Sequence, residues 1–498
     1  MSLRNIGLAS ALISALVISH VATSSDASAK GKKQGPVAGA ININGQGSSF
    51  VDPLLTDAAQ NGPAGGACTS NFPATGKNGW LNVYGIDLNS GSALAGGFAG
   101  NQAPGAPNPF GNGPVNSNLA MSYGSIGSGG GKIAYFNAAP NNTGTSTCEY
   151  VSGPYAFSGT DNPYSIAPAD PTTVTAAGGA KLVQIPSTIG AVATIYNKGV
   201  KLTAGRTNSL GETVSVAKAL TRKELCAIFE QTITDWNDID SANPNGSTIR
   251  IKARFGGSGT TLILGRQLQA NCGNGPWTLT SGTFPNNVNN NAASWAWNNL
   301  PLVDSSLVTN KDVADDVKAK TFSIGAVDAA LAKLNGNVIP KLQNKALKYV
   351  APASAGVLAA FKNVVDIDTT LPGNQSRIEL GVAGNPSATW DPTDPKAYPI
   401  VGATYFWFYG LNSSGDSWYN TNGAFDAGTR TAIKDFIEWY TTKSTVNLTD
   451  ADKIISQVTG YGPLPGGKPI GTACANNPAA TDIKCLVRKL INDPTNGI

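Results

Sequence analysis

Apolar Ile249, Ile251, Ala253 and Phe255 alternate with polar Arg250, Lys252 and Arg254. A period of two predicts a strand with one buried face. The chain continues through Gly256-Gly257, then Ser258, Gly259, Thr260 and Thr261, then an apolar run of helix formers, the whole reading IRIKARFGGSGTTLILGRQL over residues 249–268. Strand, glycine turn and helix start together aim unpaired N–H groups and a helix dipole at one point. The hydroxyls and the planar cation of Arg254 complete a set suited to a small oxyanion. Alone, the segment could equally be a helix N-cap with a glycine turn. The pattern recurs twice: residues 41–55, ININGQGSSFVDPLL, and residues 119–136, LAMSYGSIGSGGGKIAYF. Three such units predict three helix N-termini converging on one ligand. The second is not a nucleotide P-loop, because Ile126 stands six before Lys132 where glycine is needed, and Ile133 follows where Ser or Thr would hold magnesium.

Elsewhere the pattern predicts alternating strands and helices, hence an α/β fold. KLVQIPSTIGAVATIYN (181–197) reads as two buried strand-like runs broken by Pro186, and YPIVGATYFWFY (398–409) as a fully buried strand. Residues 216–239 read as helix, loop, then Trp-Asn-Asp, with Thr221 and Glu224 forming a capping box. Residues 313–334 mix helix and strand. Residues 429–442 form an amphipathic helix with Ile433, Phe436, Ile437 and Tyr440 on one face. Gly62 to Asn118 is a loop-rich insertion with one strand at 80–84, and the Asn-rich residues 286–299 are a surface loop. The 498 residues exceed one core, so two lobes are expected.

Composition narrows the chemistry. Arg4, the apolar stretch 6–22 and Ala27-Ser28-Ala29 predict a secretory signal over residues 1–29, with a flexible leader at 30–40. No other stretch reaches membrane-spanning length, so the mature chain is expected to be exported and soluble, without a membrane span. His20, the sole histidine, lies inside that signal, so the mature chain would lack Ser-His-Asp triads and His-ligated metal sites. No cofactor is implied. Cys68, Cys148, Cys226, Cys272, Cys474 and Cys485 form an even set in an oxidising compartment, and disulfides are expected. Fifteen pairings are open; sequential pairing is the working expectation. With 13% charged residues, net charge +4 and no basic stripe, nucleic acid is not an expected partner.

Read in order, these segments resemble the periplasmic phosphate-binding proteins of ABC transporters, the PstS-like family, and especially its DING-type branch. GSSFVDPLL is similar to the family's opening loop, SIGSGGGK to its Gly-Ser loop, and FSGTDNP (157–163) to its acidic loop. QIPSTIGAVATIYN is similar to the strand pair leading to the hinge. LTRKELCAIFEQTITDWNDI and ARFGGSGTT are the most characteristic stretches, with Cys226 and Cys272 where DING-type members carry cysteines. The resemblance covers most of the chain. It implies a two-lobed periplasmic-binding-protein fold of type II with the cleft between lobes joined by a two-strand hinge. Lobe 1 would be 41–197 plus 398–498, and lobe 2 would be 198–397. It implies that Ser49, Phe50, Ser128, Asp161, Arg254, Ser258, Gly259 and Thr260 hold inorganic phosphate, or arsenate, in a non-enzymatic, monomeric protein of the periplasm or exterior that serves a transporter permease. Asp161 is supplied by the resemblance alone; before Asn-Pro an aspartate is ordinarily a turn residue. Ser49 replaces the usual threonine, and Gly256 stands where members usually carry Asp or Glu. Two other readings use the same residues: an exported phosphatase with Ser258 or Thr260 as nucleophile, and an adhesion protein whose phosphate site is structural.

Overall fold

The computed structural model describes residues 41–55, 86–87, 119–125, 127–137, 155–163, 180–254, 258–273, 301–307, 309–366, 376–381, 389–412, 414–425, 428–442, 451–452, 455, 460–469 and 472–498. Ten strands form one sheet: β1 (Ile41–Gly47), β2 (Ile86–Asp87), β3 (Leu119–Ser125), β4 (Tyr155–Thr160), β5 (Leu182–Tyr196), β6 (Arg250–Arg254), β7 (Val303–Leu307), β8 (Ser323–Asp328), β9 (Val401–Tyr409) and β10 (Tyr461–Gly462). Their order is β7-β6-β8-β5-β9-β4-β1-β3-β2, with β10 also on β5. At one end β4, β1, β3 and β2 are parallel; at the other β7, β6 and β8 are parallel. β5 and β9 run antiparallel between them: β5 pairs with β9 through Ala191, then with β8 from Val192. These two strands connect the two halves of the sheet, as the expected two-strand hinge requires. The helices of the described residues include α1 (Asp52–Leu55), α2 (Gly127–Asn137), α3 (Arg222–Glu230), α4 (Gly259–Cys272), α5 (Asn310–Ala319), α6 (Ala329–Leu334), α7 (Thr429–Tyr440) and α8 (Ile483–Ile491).

Two strand expectations need correction. Pro186 does not break its segment: β5 is continuous over 15 residues. The register of β9 slips between Thr404 and Tyr405, opposite Thr188 and Pro186, so Ser187 is bulged out and its hydroxyl donates to the Thr404 carbonyl at 3.0 Å. A bulge absorbs the missing proline N–H. The alternation over 249–255 gives a strand, but not a half-exposed one. Lys252 and Arg254 are buried as well as Ile251 and Ala253, and Lys252 is held by Asp304 at 2.9 Å and Asp316 at 2.7 Å. Paired charges make burial of the polar face tolerable.

The capping box at Thr221 forms, with Glu224 N donating to Thr221 Oγ1 at 3.0 Å and Thr221 N donating to Glu224 Oε2 at 2.8 Å. The residue-429 helix buries Ile433, Phe436, Ile437 and Tyr440 as its pattern requires. Disulfides join Cys226 to Cys272, stapling α3 to α4, and Cys474 to Cys485. Cys68, Cys148, the strand expected at 80–84, most of the insertion and Gly256 lie outside the described residues. Behind the sheet centre, Tyr135 of α2 stacks on Tyr409 and meets Trp407 edge-on. The approach of α2 is possible because Gly131 has no side chain: a Cβ there would sit 2.5 Å from the Gly159 carbonyl oxygen and 2.8 Å from Gly47 Cα.

Candidate functional site

The parallel strands of both halves point their carboxyl ends at one region, the position at which open α/β sheets bind ligands. β1 ends into Ser48, Ser49 and Phe50, β3 leads to Ser128 on α2, and β4 ends into Asp161. From the other half, β6 ends on Arg254 and leads to Ser258, Gly259 and Thr260; β7 leads to Asn310; β8 ends on Asp328. All these side chains are buried.

Asp161, 3% exposed, is the centre of one wall. Its Oδ1 accepts from Ser48 Oγ at 2.5 Å and from Thr404 Oγ1 at 2.7 Å. Its Oδ2 accepts from Ser128 Oγ at 3.2 Å, while its own N–H donates back to Ser128 Oγ at 3.1 Å. Burial pushes the carboxyl up to about 6, against the pull of the Ser48, Thr404 and Ser128 hydroxyls and the Arg254 charge. Arg254, 8% exposed, is the centre of the other wall. Burial lowers it to about 10, with Asp161 and Asp312 opposing, so it remains a cation at neutral pH. Its Nη1 donates to Ser49 Oγ at 3.2 Å, across the halves, and to Asn310 Oδ1 at 3.4 Å.

The backbone completes the setting. Ser258 caps α4, its Oγ accepting from Thr261 N at 3.2 Å. The first N–H groups of that helix, Gly259 and Thr260, have no carbonyl four residues back to bond. Gly259 lies directly on the opposite wall: a Cβ there would be 2.4 Å from Asp161 Cβ and 2.6 Å from Ser128 Oγ. The Phe50 N–H donates to Ser48 Oγ at 3.0 Å, and the Phe50 carbonyl accepts from Tyr461.

The structure thus brings all eight expected residues to one place: Ser49, Phe50, Ser128, Asp161, Arg254, Ser258, Gly259 and Thr260. Of the paired serines, Ser48 holds Asp161 and Ser49 meets Arg254. Three further residues lie here that the pattern did not single out: Asn310, Asp328 and Thr404. Asn310 follows the N-cap Thr309 of a capping box, a signal for a helix start but not for its neighbours. Burial pushes Asp328 up to about 7, against hydrogen bonds from Leu331 N and Asn310. Lys132, in the Gly-Ser loop's helix, is not part of the cluster; its Nζ lies 5.5 Å from the Trp407 ring centroid.

The chain is 28% identical over 306 residues to a phosphate-binding protein of an unknown prokaryotic organism, covering 57% of this chain and 73% of the relative. It is 29% identical over 293 residues to alkaline phosphatase L of Pseudomonas aeruginosa, covering 58% of this chain and 68% of that one. Its fold is similar to a solved DING protein at TM-score 0.51 and 18% identity, over 90% of this chain and 93% of the other. A human phosphate-binding apolipoprotein aligns at TM-score 0.50 and 18% identity, over 85% and 91%. Residues 114–444 match the model of the PBP superfamily domain, and the chain belongs to that family.

Proposed function

We propose that the chain is an exported solute-binding protein that captures inorganic phosphate between its lobes, for uptake by an ABC-transporter permease. Ser49, Phe50, Ser128, Asp161, Arg254, Ser258, Gly259 and Thr260 hold the anion. Lobe 1 comprises 41–197 with 398–498, and lobe 2 comprises 198–397. The observation that carries this reading is the opposition of a buried carboxylate and a buried guanidinium, amid hydroxyls and a helix N-terminus. The cation and the N–H groups attract any oxyanion. The Asp161 carboxylate accepts only from an anion that bears a proton. Phosphate does near neutral pH; sulfate does not, and it would leave the carboxylate unpaired at a cost of ~3–5 kcal/mol. Arsenate shares phosphate's protonation and follows it. The names of the relatives point the same way. No helix among the described residues is long and apolar enough to cross a membrane.

Isothermal titration of the stripped monomer with phosphate, arsenate and sulfate tests the reading. Phosphate and arsenate are expected to bind tightly and sulfate at least ~100-fold more weakly. Arg254→Ala is expected to weaken phosphate by at least ~100-fold, since charge-assisted hydrogen bonds contribute ~1.5–3 kcal/mol each. Equal sulfate affinity, or an unchanged Arg254→Ala, removes the assignment. Turnover of a phosphomonoester in the same samples would move it to an exported phosphatase.

A further inference from the structure

Asn310 is the first residue of α5, 1% exposed, between the ends of β6 and β8. Its Oδ1 accepts from Arg254 Nη1 at 3.4 Å. Its Nδ2 donates to Thr260 Oγ1 at 3.1 Å and to Asp328 Oδ2 at 3.4 Å. The two ends of an amide look alike, but chemistry distinguishes them here. A guanidinium has donors and no acceptor, so the atom facing Arg254 must be the oxygen. The NH2 group then faces Thr260. A hydroxyl that accepts from an amide keeps its own proton for another acceptor. Ser49 is set the same way, by Arg254 itself.

We propose that Asn310 is a positioning residue that fixes the hydrogen-bond polarity of the anion site. It holds the Arg254 guanidinium through its oxygen and, by donating to Thr260, turns that hydroxyl into a donor aimed at the ligand. This rests on the reading that Arg254 and Thr260 bind phosphate. The Arg254 wall then offers the anion donors, and Asp161 opposite offers an acceptor. A singly or doubly protonated tetrahedral anion enters in one orientation, with bare oxygens on the Arg254 side and its proton toward Asp161.

The polarity argument and a merely structural role predict opposite orders of damage. Asn310→Asp keeps the shape; Arg254 favours its charge, while Asp328 Oδ2, 3.4 Å from the same amide, opposes it. Once ionised it has no donor, so Thr260 must donate to it and turn lone pairs toward the anion. Asn310→Ala removes the amide and frees the hydroxyl to rotate. Titration with inorganic phosphate at pH 8 is expected to show Asn310→Ala about tenfold weaker than wild type and Asn310→Asp at least about 100-fold weaker. Asn310→Ala within twofold of wild type, or Asn310→Asp binding as well as or better than Asn310→Ala, overturns the proposal. The new carboxylate also repels an anion by its charge alone, so Thr260→Val and its double variant with Asn310→Ala decide, whether or not the aspartate variant folds: the two losses are expected not to add, and additive losses overturn the proposal. Arg254→Ala run alongside separates the failures. If it leaves affinity unchanged, the phosphate-site reading has fallen; if it abolishes binding while Asn310 variants are silent, only the role of Asn310 has.

Discussion

Gly259→Ala isolates lobe closure from the stability of either lobe. In the structure a Cβ at Gly259 would meet Asp161 Cβ at 2.4 Å, Asp161 Oδ2 at 2.6 Å and Ser128 Oγ at 2.6 Å. Carbon–carbon contacts settle near ~3.5–4.0 Å, so the walls must part by about 1 Å. Asp161 and Ser128 belong to the β1–β3–β4 end of the sheet and Gly259 to the β6–β8 end. The clash therefore exists only when the halves meet. Within α4 itself alanine is the better helix former. Parting the walls stretches the Arg254–Ser49 hydrogen bond, now 3.2 Å, beyond useful range. Overpacking of this kind costs ~1–3 kcal/mol, or roughly 5- to 150-fold in affinity. Titration with phosphate reads the loss, and thermal unfolding of the ligand-free protein reads the fold. Weaker binding with an unchanged ligand-free Tm is expected. Affinity within threefold of wild type, or a matching loss of ligand-free Tm, would refute the idea that this glycine serves closure.

Three other outcomes follow from charges and covalent links. Asp161 titrates near 6 because burial raises it; above that pH the carboxylate only accepts, below it the carboxyl can donate. Sulfate is therefore expected to gain on phosphate as pH falls through about 6, and competition titrations giving a pH-independent ratio would sink the role of Asp161. Burial, with Arg266 adding, lowers Lys132 to about 7, and its Nζ has no hydrogen-bond partner among the described residues. From about pH 7 to the ordinary lysine range the unfolded chain binds more protons, so Lys132 makes stability rise with pH across that window. Lys132→Met should remove that rise and raise Tm at pH 6, by up to the order of 4 kcal/mol in stability; a fall in Tm would contradict it. The Cys226–Cys272 disulfide spans 46 residues and constrains the unfolded chain by roughly 4 kcal/mol on a chain-entropy estimate. Cys226→Ser/Cys272→Ser should lower Tm with little change in phosphate affinity, and an unchanged Tm would show that the staple contributes nothing.

What could be read in the sequence was what is local. The units at 41–55, 119–136 and 249–268 each carry strand, turn and helix-start signals within about twenty residues, and each delivers part of the site. Asp161 had no such signal, because its place depends on β4 lying beside β1, which only the family resemblance implied. Asn310, Asp328 and Thr404 were missed for the same reason. The capping box at Thr309 marks where α5 starts, but the meeting of Asn310 with Arg254 depends on β7 pairing with β6, and Asp328 arrives because β8 pairs with β6 on its other side. Ser48 and Ser49 are adjacent and chemically equal, and only the path of the loop sends one to Asp161 and the other to Arg254. Pro186 misled in the opposite sense: a local breaker was overruled by the bulge at Ser187, which long-range pairing with β9 supplies.

That division bears on where the chemistry lies. The groups suited to an oxyanion, namely the helix starts, the Ser49 and Thr260 hydroxyls and Arg254, are encoded locally and would serve phosphate and sulfate alike. The contacts that orient the Arg254 and Asp161 side chains, from Asn310 to one and from Ser48, Ser128 and Thr404 to the other, are assembled only by strand order. Attraction is thus a property of segments and discrimination a property of the assembled sheet. Substitutions that leave every segment's pattern intact, such as Asn310→Asp or Gly259→Ala, should then be the ones that change which anion is held and how firmly, while the fold around them persists.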